Sequence, residues 1–156
     1  MKKIMFVCHG NICRSPMAEF IMKDIVSRSS LNDAFCIEST ATSNEETGND
    51  IYPRAAAVLS RHGIGFSHRR ARRFTVADYE KFDMVVVMEE YNIGNLMRII
   101  GDDRCKKIWK LLDFTRADVQ RCCGDDISDP WYHGNFEQTY DEIVSGCNAL
   151  LKYCTR

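Results

Sequence analysis

Two rhythms of apolar residues alternate along the chain. Lys3–Cys8 and Met84–Met88 are short apolar runs bounded by polar residues, the pattern of buried strands. The second is apolar at every position, which implies cover on both faces and therefore a parallel strand flanked by helices. Elsewhere the spacing turns helical. Met17, Phe20, Ile21, Ile25 and Val26 predict a helix over Pro16–Arg28, with Ser15 as its N-cap and Pro16 at the first helical position. After the Asn32-Asp33 break, Phe35–Ser39 reads as a second strand. Pro53 and Gly63 bracket a helix carried by Ala55–Leu59, and Gly101 stops another over Asn92–Ile100. Lys107–Leu112 reads as a fourth strand and Phe136–Tyr153 as a long final helix. Strands separated by helices predict an α/β fold, a three-layer sandwich. Ligands of such folds bind beyond the C-terminal ends of the strands, which singles out the first strand-to-helix turn, Cys8–Ser15.

Composition narrows the class. With 156 residues, no repeat and no Pro/Gly/Ser-rich linker, residues 1–156 are expected to form one domain with a sizeable core. Lys plus Arg number 21 against 22 acidic residues, so no whole-surface field draws the chain to nucleic acid or anionic membrane. Anion binding must then be local. The apolar stretch Ile4–Cys8 is too short for a signal-peptide core, and Met84–Met88 is far too short for a membrane span. The expectation is a cytoplasmic protein whose 8 Cys are mainly reduced. Cys122, Cys123, Cys147 and Cys154 lack metal-ligand spacing and paired His, so they are read as packing residues and no metal is expected. The basic stretch Arg69-Arg70-Ala71-Arg72-Arg73 lacks interleaved aromatics and reads as a solvated loop rather than a nucleic-acid contact.

The singled-out turn is Cys8-His9-Gly10-Asn11-Ile12-Cys13-Arg14-Ser15, a cysteine and an arginine with five residues between them. That spacing alone carries little weight. Its context carries more: a buried strand, a loop with Gly10 and a helix entered through Ser15-Pro16 bring backbone N–H groups and a helix N-terminus to one point, an anion cradle. Arg14 inside it can clamp two phosphate oxygens, which a lysine could not reproduce. Cys8 faces the same positive potential, which favours the nucleophilic thiolate.

The run Val7–Glu19 resembles the phosphate-binding loop of the low-molecular-weight protein tyrosine phosphatases. The likeness continues through Glu38–Ser43, Arg61–Ile64, Ser67-His68 and Asp129-Pro130-Trp131-Tyr132, in the family's order and over nearly the whole chain. It implies a four-stranded parallel twisted sheet with helices on both faces, phosphotyrosine-containing protein or peptide as substrate, inorganic phosphate as product, and neither metal nor other cofactor. By the same resemblance Cys8 is the nucleophile, Arg14 the phosphate clamp and Asp129 the general acid. His9, Gly10, Asn11, Ile12 and Cys13 cradle the phosphate and Ser15 donates to Cys8. Asn11, Ser39 and His68 brace the loop, with Asn11 in a left-handed conformation.

Pro130 biases Asp129 to extended backbone, a position from which a carboxyl can reach over a pocket. Trp131 and Tyr132, next along, can wall a flat phenyl ring. Glu45 falls where relatives often carry an aromatic residue. Cys13 is placed to capture an oxidised Cys8 as a disulfide. Two rival chemistries are disfavoured: a thiol-relay arsenate reductase needs further cysteines, and Phe82–Glu90 has none, while phosphoarginine phosphatases resemble this loop with Thr where Ile12 stands.

Overall fold

The structure is a computed structural model describing all residues, Met1–Arg156. Its frame is a four-stranded, all-parallel sheet in the order β2-β1-β3-β4, built from β1 (Lys2–Cys8), β2 (Phe35–Ala41), β3 (Met84–Val87) and β4 (Ile108–Lys110). The register pairs Cys8 with Ala41, and Val7 with Val87, so three strands end together at the C-terminal edge.

The period-two alternation of the strands divides the core. Ile4, Phe6 and Cys8 of β1, with Met84 and Val86 of β3, face the larger cluster, which α1 (Arg14–Arg28), α2 (Pro53–Arg61) and α6 (Phe136–Cys154) cover with residues such as Met17, Ile21, Leu59 and Leu150. Met5, Val7, Val85 and Val87 face the smaller one. There α3 (Val76–Lys81) and α4 (Glu90–Ile100) contribute Tyr79 and Leu96. Three layers and a parallel sheet are thus what the pattern predicts.

The differences sit at element ends. Helix α1 starts at Arg14, not Pro16, and Ser15 does not cap it. Pro16 remains within the first turn, where a missing N–H removes no intrahelical bond. Strand β2 runs on to Ala41, and β4 is only three residues long before a 3-10 turn over Leu111–Thr115. Two short helices have no apolar period long enough to read. One is α3, held by a capping box in which the Thr75 hydroxyl accepts from the Asp78 N–H. The other is α5 (Pro130–His133), capped by Asp129.

The arginine stretch is not a plain solvated loop. Ala71 is buried, its N–H donates to the Asn49 carbonyl, and Arg73 forms an isolated parallel bridge with Ala41. Arg72 makes a two-pronged pair with Asp78 at 2.8 and 2.9 Å. Of these five residues only Ala71 is buried, and the segment meets the sheet through a single bridge at the end of β2. Cys123 is exposed, whereas Cys147, fully buried, and Cys122 and Cys154, each partly buried against a core cluster, match the expectation of packing residues.

Candidate active site

The loop after β1 owes its shape to its carbonyls. Those of Cys8, His9, Ile12 and Cys13 accept from the N–H groups of Thr42, Ser43, Tyr52 and Met17 at 2.8–3.1 Å. With the carbonyls engaged outward, the N–H groups of His9, Gly10, Ile12, Cys13, Arg14 and Ser15 donate to no protein acceptor. They form a nest at the N-terminus of α1, whose first turn holds no acidic residue.

Cys8 lies at the bottom of this nest, 4% exposed. Its Sγ accepts from the Asn11 N–H at 3.3 Å and lies 3.0 Å from the Ser15 Oγ. The Ser15 hydroxyl is thus placed within reach of the sulfur toward which the Asn11 N–H is already directed. Asn11 has φ 59, the left-handed region that Asn tolerates better than most residues. Its Nδ2 donates to Ser15 Oγ at 2.8 Å and Ser39 Oγ at 3.0 Å, and the Ser39 hydroxyl donates to Glu19 at 2.6 Å.

His68 does not join this brace. Its side chain is 99% exposed and pairs with Asp50, while Arg69 donates to Asn11 Oδ1 in the place expected of it. A carboxylate fixes the swap: Asp50 accepts from the Arg69 N–H at 3.1 Å and from His68, turning His68 outward and Arg69 in. The Asp50 carboxyl is held down at about 2 by the hydrogen bond from His68, helped by the N–H groups of Ile51 and Arg69.

Arg14 is buried, and its guanidinium is oriented on three sides. Glu89 takes both prongs at 3.1 and 3.2 Å, the Ile127 carbonyl accepts at 3.1 Å, and Asp129 Oδ2 lies 3.3 Å from Nη2. Burial opposes the Arg14 charge, but the hydrogen bond to Glu89 and the charges of Cys8, Glu89 and Asp129 more than offset this and raise its pKa. Sequence reasoning did not single out Glu89. The signal was present, because Glu89 follows the all-apolar strand at the same sheet edge as Cys8.

Asp129 has extended backbone, φ -87 and ψ 107, as the following proline requires. Its Oδ1 accepts from the Trp131 N–H at 3.0 Å and caps α5, leaving Oδ2 to face Arg14. One oxygen of the side chain therefore holds the following turn while the other faces the guanidinium.

These groups open into a cleft of about 450 Å³. Cys8, Ile12, Cys13 and Arg14 form its floor and Asp129, Trp131 and Tyr132 one wall. Trp131 is backed edge-on by Tyr52, ring centroids 5.1 Å apart. Glu45, Glu46 and Tyr91 stand elsewhere on the rim. Ser39 and His68 lie outside the cleft. Cys13 is 7% exposed, and its thiol is pushed up to about 12 by burial and then by the charge of Cys8. No group of His, Cys, Asp and Glu side chains is placed to hold a metal ion.

Known proteins share both the sequence and this shape. The family described as low molecular weight phosphotyrosine protein phosphatase matches residues 3–156. The low molecular weight protein-tyrosine-phosphatase YfkJ of Bacillus subtilis is 36% identical over 152 residues, 97% of this chain and 94% of that protein. The human low molecular weight phosphotyrosine protein phosphatase is 36% identical over 154 residues, with the same shares covered. The crystal structure of YfkJ superimposes with a TM-score of 0.91 at 34% identity, covering 99% of this chain and 95% of that one. With the family matched from the third residue to the last, and relatives alike over nearly their full length, the chain belongs to the low molecular weight phosphotyrosine protein phosphatases.

Proposed function

We propose that residues 1–156 act as one phosphatase domain that hydrolyses phosphotyrosine in proteins or peptides, and small aryl phosphates, through a phosphocysteine intermediate. The observation that carries this reading is the convergence of Cys8, unspent loop N–H groups, a buried Arg14 and the Asp129 carboxyl on one cleft.

In the first displacement the Cys8 thiolate attacks phosphorus and the bond to the tyrosyl oxygen breaks. Expelling that oxygen as an anion at pH 7 is uphill by about 4 kcal/mol, so Asp129 delivers a proton to it. Loop N–H groups and Arg14 bind the equatorial oxygens, where transition-state charge gathers. In the second displacement Asp129 takes a proton from water, whose oxygen attacks the phosphocysteine. Cys8 leaves as thiolate, which the Ser15 hydroxyl and Asn11 N–H support, and inorganic phosphate departs.

Asn11, Ser39 and Arg69 keep the loop open for the anion, and Glu89 keeps Arg14 in its forked orientation. Trp131 and Tyr132 wall the phenyl ring. A reaction that starts from a free thiolate calls for a reducing compartment, and we place the protein in the cytoplasm. No helix is long and apolar enough to cross a membrane. Phosphate release from p-nitrophenyl phosphate in the presence of EDTA tests the reading. Turnover is expected, and its absence from a folded protein would overturn the assignment.

A further inference from the structure

The cleft has two rims of opposite character. One is aromatic, Trp131 and Tyr132; the other is the turn after β2, which carries Glu45 and Glu46. That turn is mounted firmly on the phosphate loop. Ser43 binds the His9 carbonyl twice, through its N–H at 3.1 Å and its hydroxyl at 2.9 Å. The stem of Glu46 lies against Gly10, 3.3 Å from where a Cβ would stand, which seats the turn closely on the loop.

Neither carboxylate has a Lys or Arg partner. Glu46 accepts from the Asn49 side-chain amide at 2.6 Å, and Glu45, 69% exposed, accepts from His9 Nε2 at 2.9 Å. The Asn49 amide brings no charge to Glu46, and the Glu45 carboxylate is open to solvent beyond its one contact with His9. Arg14, the one guanidinium lining the cleft, is paired with Glu89 and Asp129 instead. The mouth is therefore cationic only at its floor and anionic at its edge.

On the reading that this is a phosphotyrosine phosphatase, we infer that Glu45 and Glu46 set its peptide preference: they select phosphotyrosine flanked by lysine or arginine and disfavour acidic neighbours. The phosphate is held by the floor whatever the peptide. A residue beside the phosphotyrosine meets the rim, where a cation is attracted and a carboxylate repelled. Because the rim is exposed, each charge contributes modestly and is screened by salt.

The test compares kcat/KM for three phosphotyrosine peptides identical except for Lys, Gln or Glu on both sides of the phosphotyrosine, with p-nitrophenyl phosphate as the flank-free control. At low salt the order should be Lys over Gln over Glu, spanning roughly tenfold, and the span should shrink at high salt. In the Glu45→Gln/Glu46→Gln protein the span should fall to about twofold, and Glu45→Lys should reverse the order. Equal rates on the three peptides, or a preference that survives both variants, would overturn the inference and leave the phosphatase reading intact. Failure of the wild type on every peptide and on the control would overturn the phosphatase reading itself.

Discussion

Arg14 Nη2 and Asp129 Oδ2 stand 3.3 Å apart, so the anion clamp and the carboxyl beside it are in direct contact. If Asp129 is the proton donor, Asp129→Asn should slow phenyl phosphate far more than p-nitrophenyl phosphate, with a loss of at most roughly 10²–10⁴ on the poorer leaving group. Rates on a series of aryl phosphates, plotted against leaving-group pKa, check this. An equal loss across the series would leave Asp129 only its capping role at α5.

The brace behind the loop yields a prediction in which neighbouring residues part ways. Arg69→Met removes the donor to Asn11 Oδ1 and should lower kcat by about tenfold, because an unheld Asn11 relaxes from its left-handed backbone and the loop N–H groups lose their common aim. His68→Ala touches only Asp50 and solvent and should stay within about twofold of wild type. Steady-state kinetics of the two variants decide between them. The opposite ranking would restore His68 to the brace.

Much of this was legible beforehand. The strands carry all-apolar runs because both sheet faces are covered, and the loop's cysteine, glycine and arginine sit where β1 meets α1, so architecture and site location followed from pattern and turn chemistry. Arg69 was not legible, since which of two adjacent basic residues turns inward depends on Asp50, 19 positions earlier. Helix α3 rests on a capping box rather than a period, and Glu89 speaks only through its place at a strand's end. Helix α1 begins ahead of the position that the cap-like Ser15-Pro16 composition predicts, because the Ser15 hydroxyl is drawn to Cys8, Asn11 and the Thr40 carbonyl.

Asp113 anchors the segment that leads to Asp129. Fully buried, it accepts from the N–H groups of Lys110, Cys122, Cys123 and Gly124 at 2.6–2.9 Å. Gly124 packs so closely here that a Cβ would meet the Asp113 nitrogen at 2.4 Å and the Leu112 carbonyl carbon at 2.5 Å. Backbone cannot yield as a flexible side chain would. Gly124→Ala should therefore cost roughly 1–3 kcal/mol or more, and thermal unfolding should show a fall in Tm of several degrees. An unchanged Tm would contradict the close packing.

Oxidation of Cys8 by peroxide should be reversible only as fast as Cys13 can respond. The sulfenic acid formed on Cys8 is attacked by the Cys13 sulfur, water leaves, and a thiol reductant later splits the disulfide. Cys13 must first lose its proton, and its burial opposes this. Capture should thus quicken as pH rises, and Cys13→Ser should go on to irreversible loss at any pH. Recovery with dithiothreitol after a fixed peroxide dose, across a pH series and with mapping of the disulfide, measures this. Equal recovery in both proteins would exclude Cys13 as the capturing thiol.

The covalent intermediate is the most direct test of the account. An aryl phosphate carrying a labelled phosphoryl group is mixed with enzyme, the reaction is stopped by denaturation within the first turnovers, and the label is mapped by mass. The account predicts a phosphoryl group on Cys8 in the wild type. Cys8→Ser should carry none and turn over less than about a tenth as fast, although it still binds phosphate or vanadate in the loop. Label on another residue, or sustained turnover by Cys8→Ser, would contradict it.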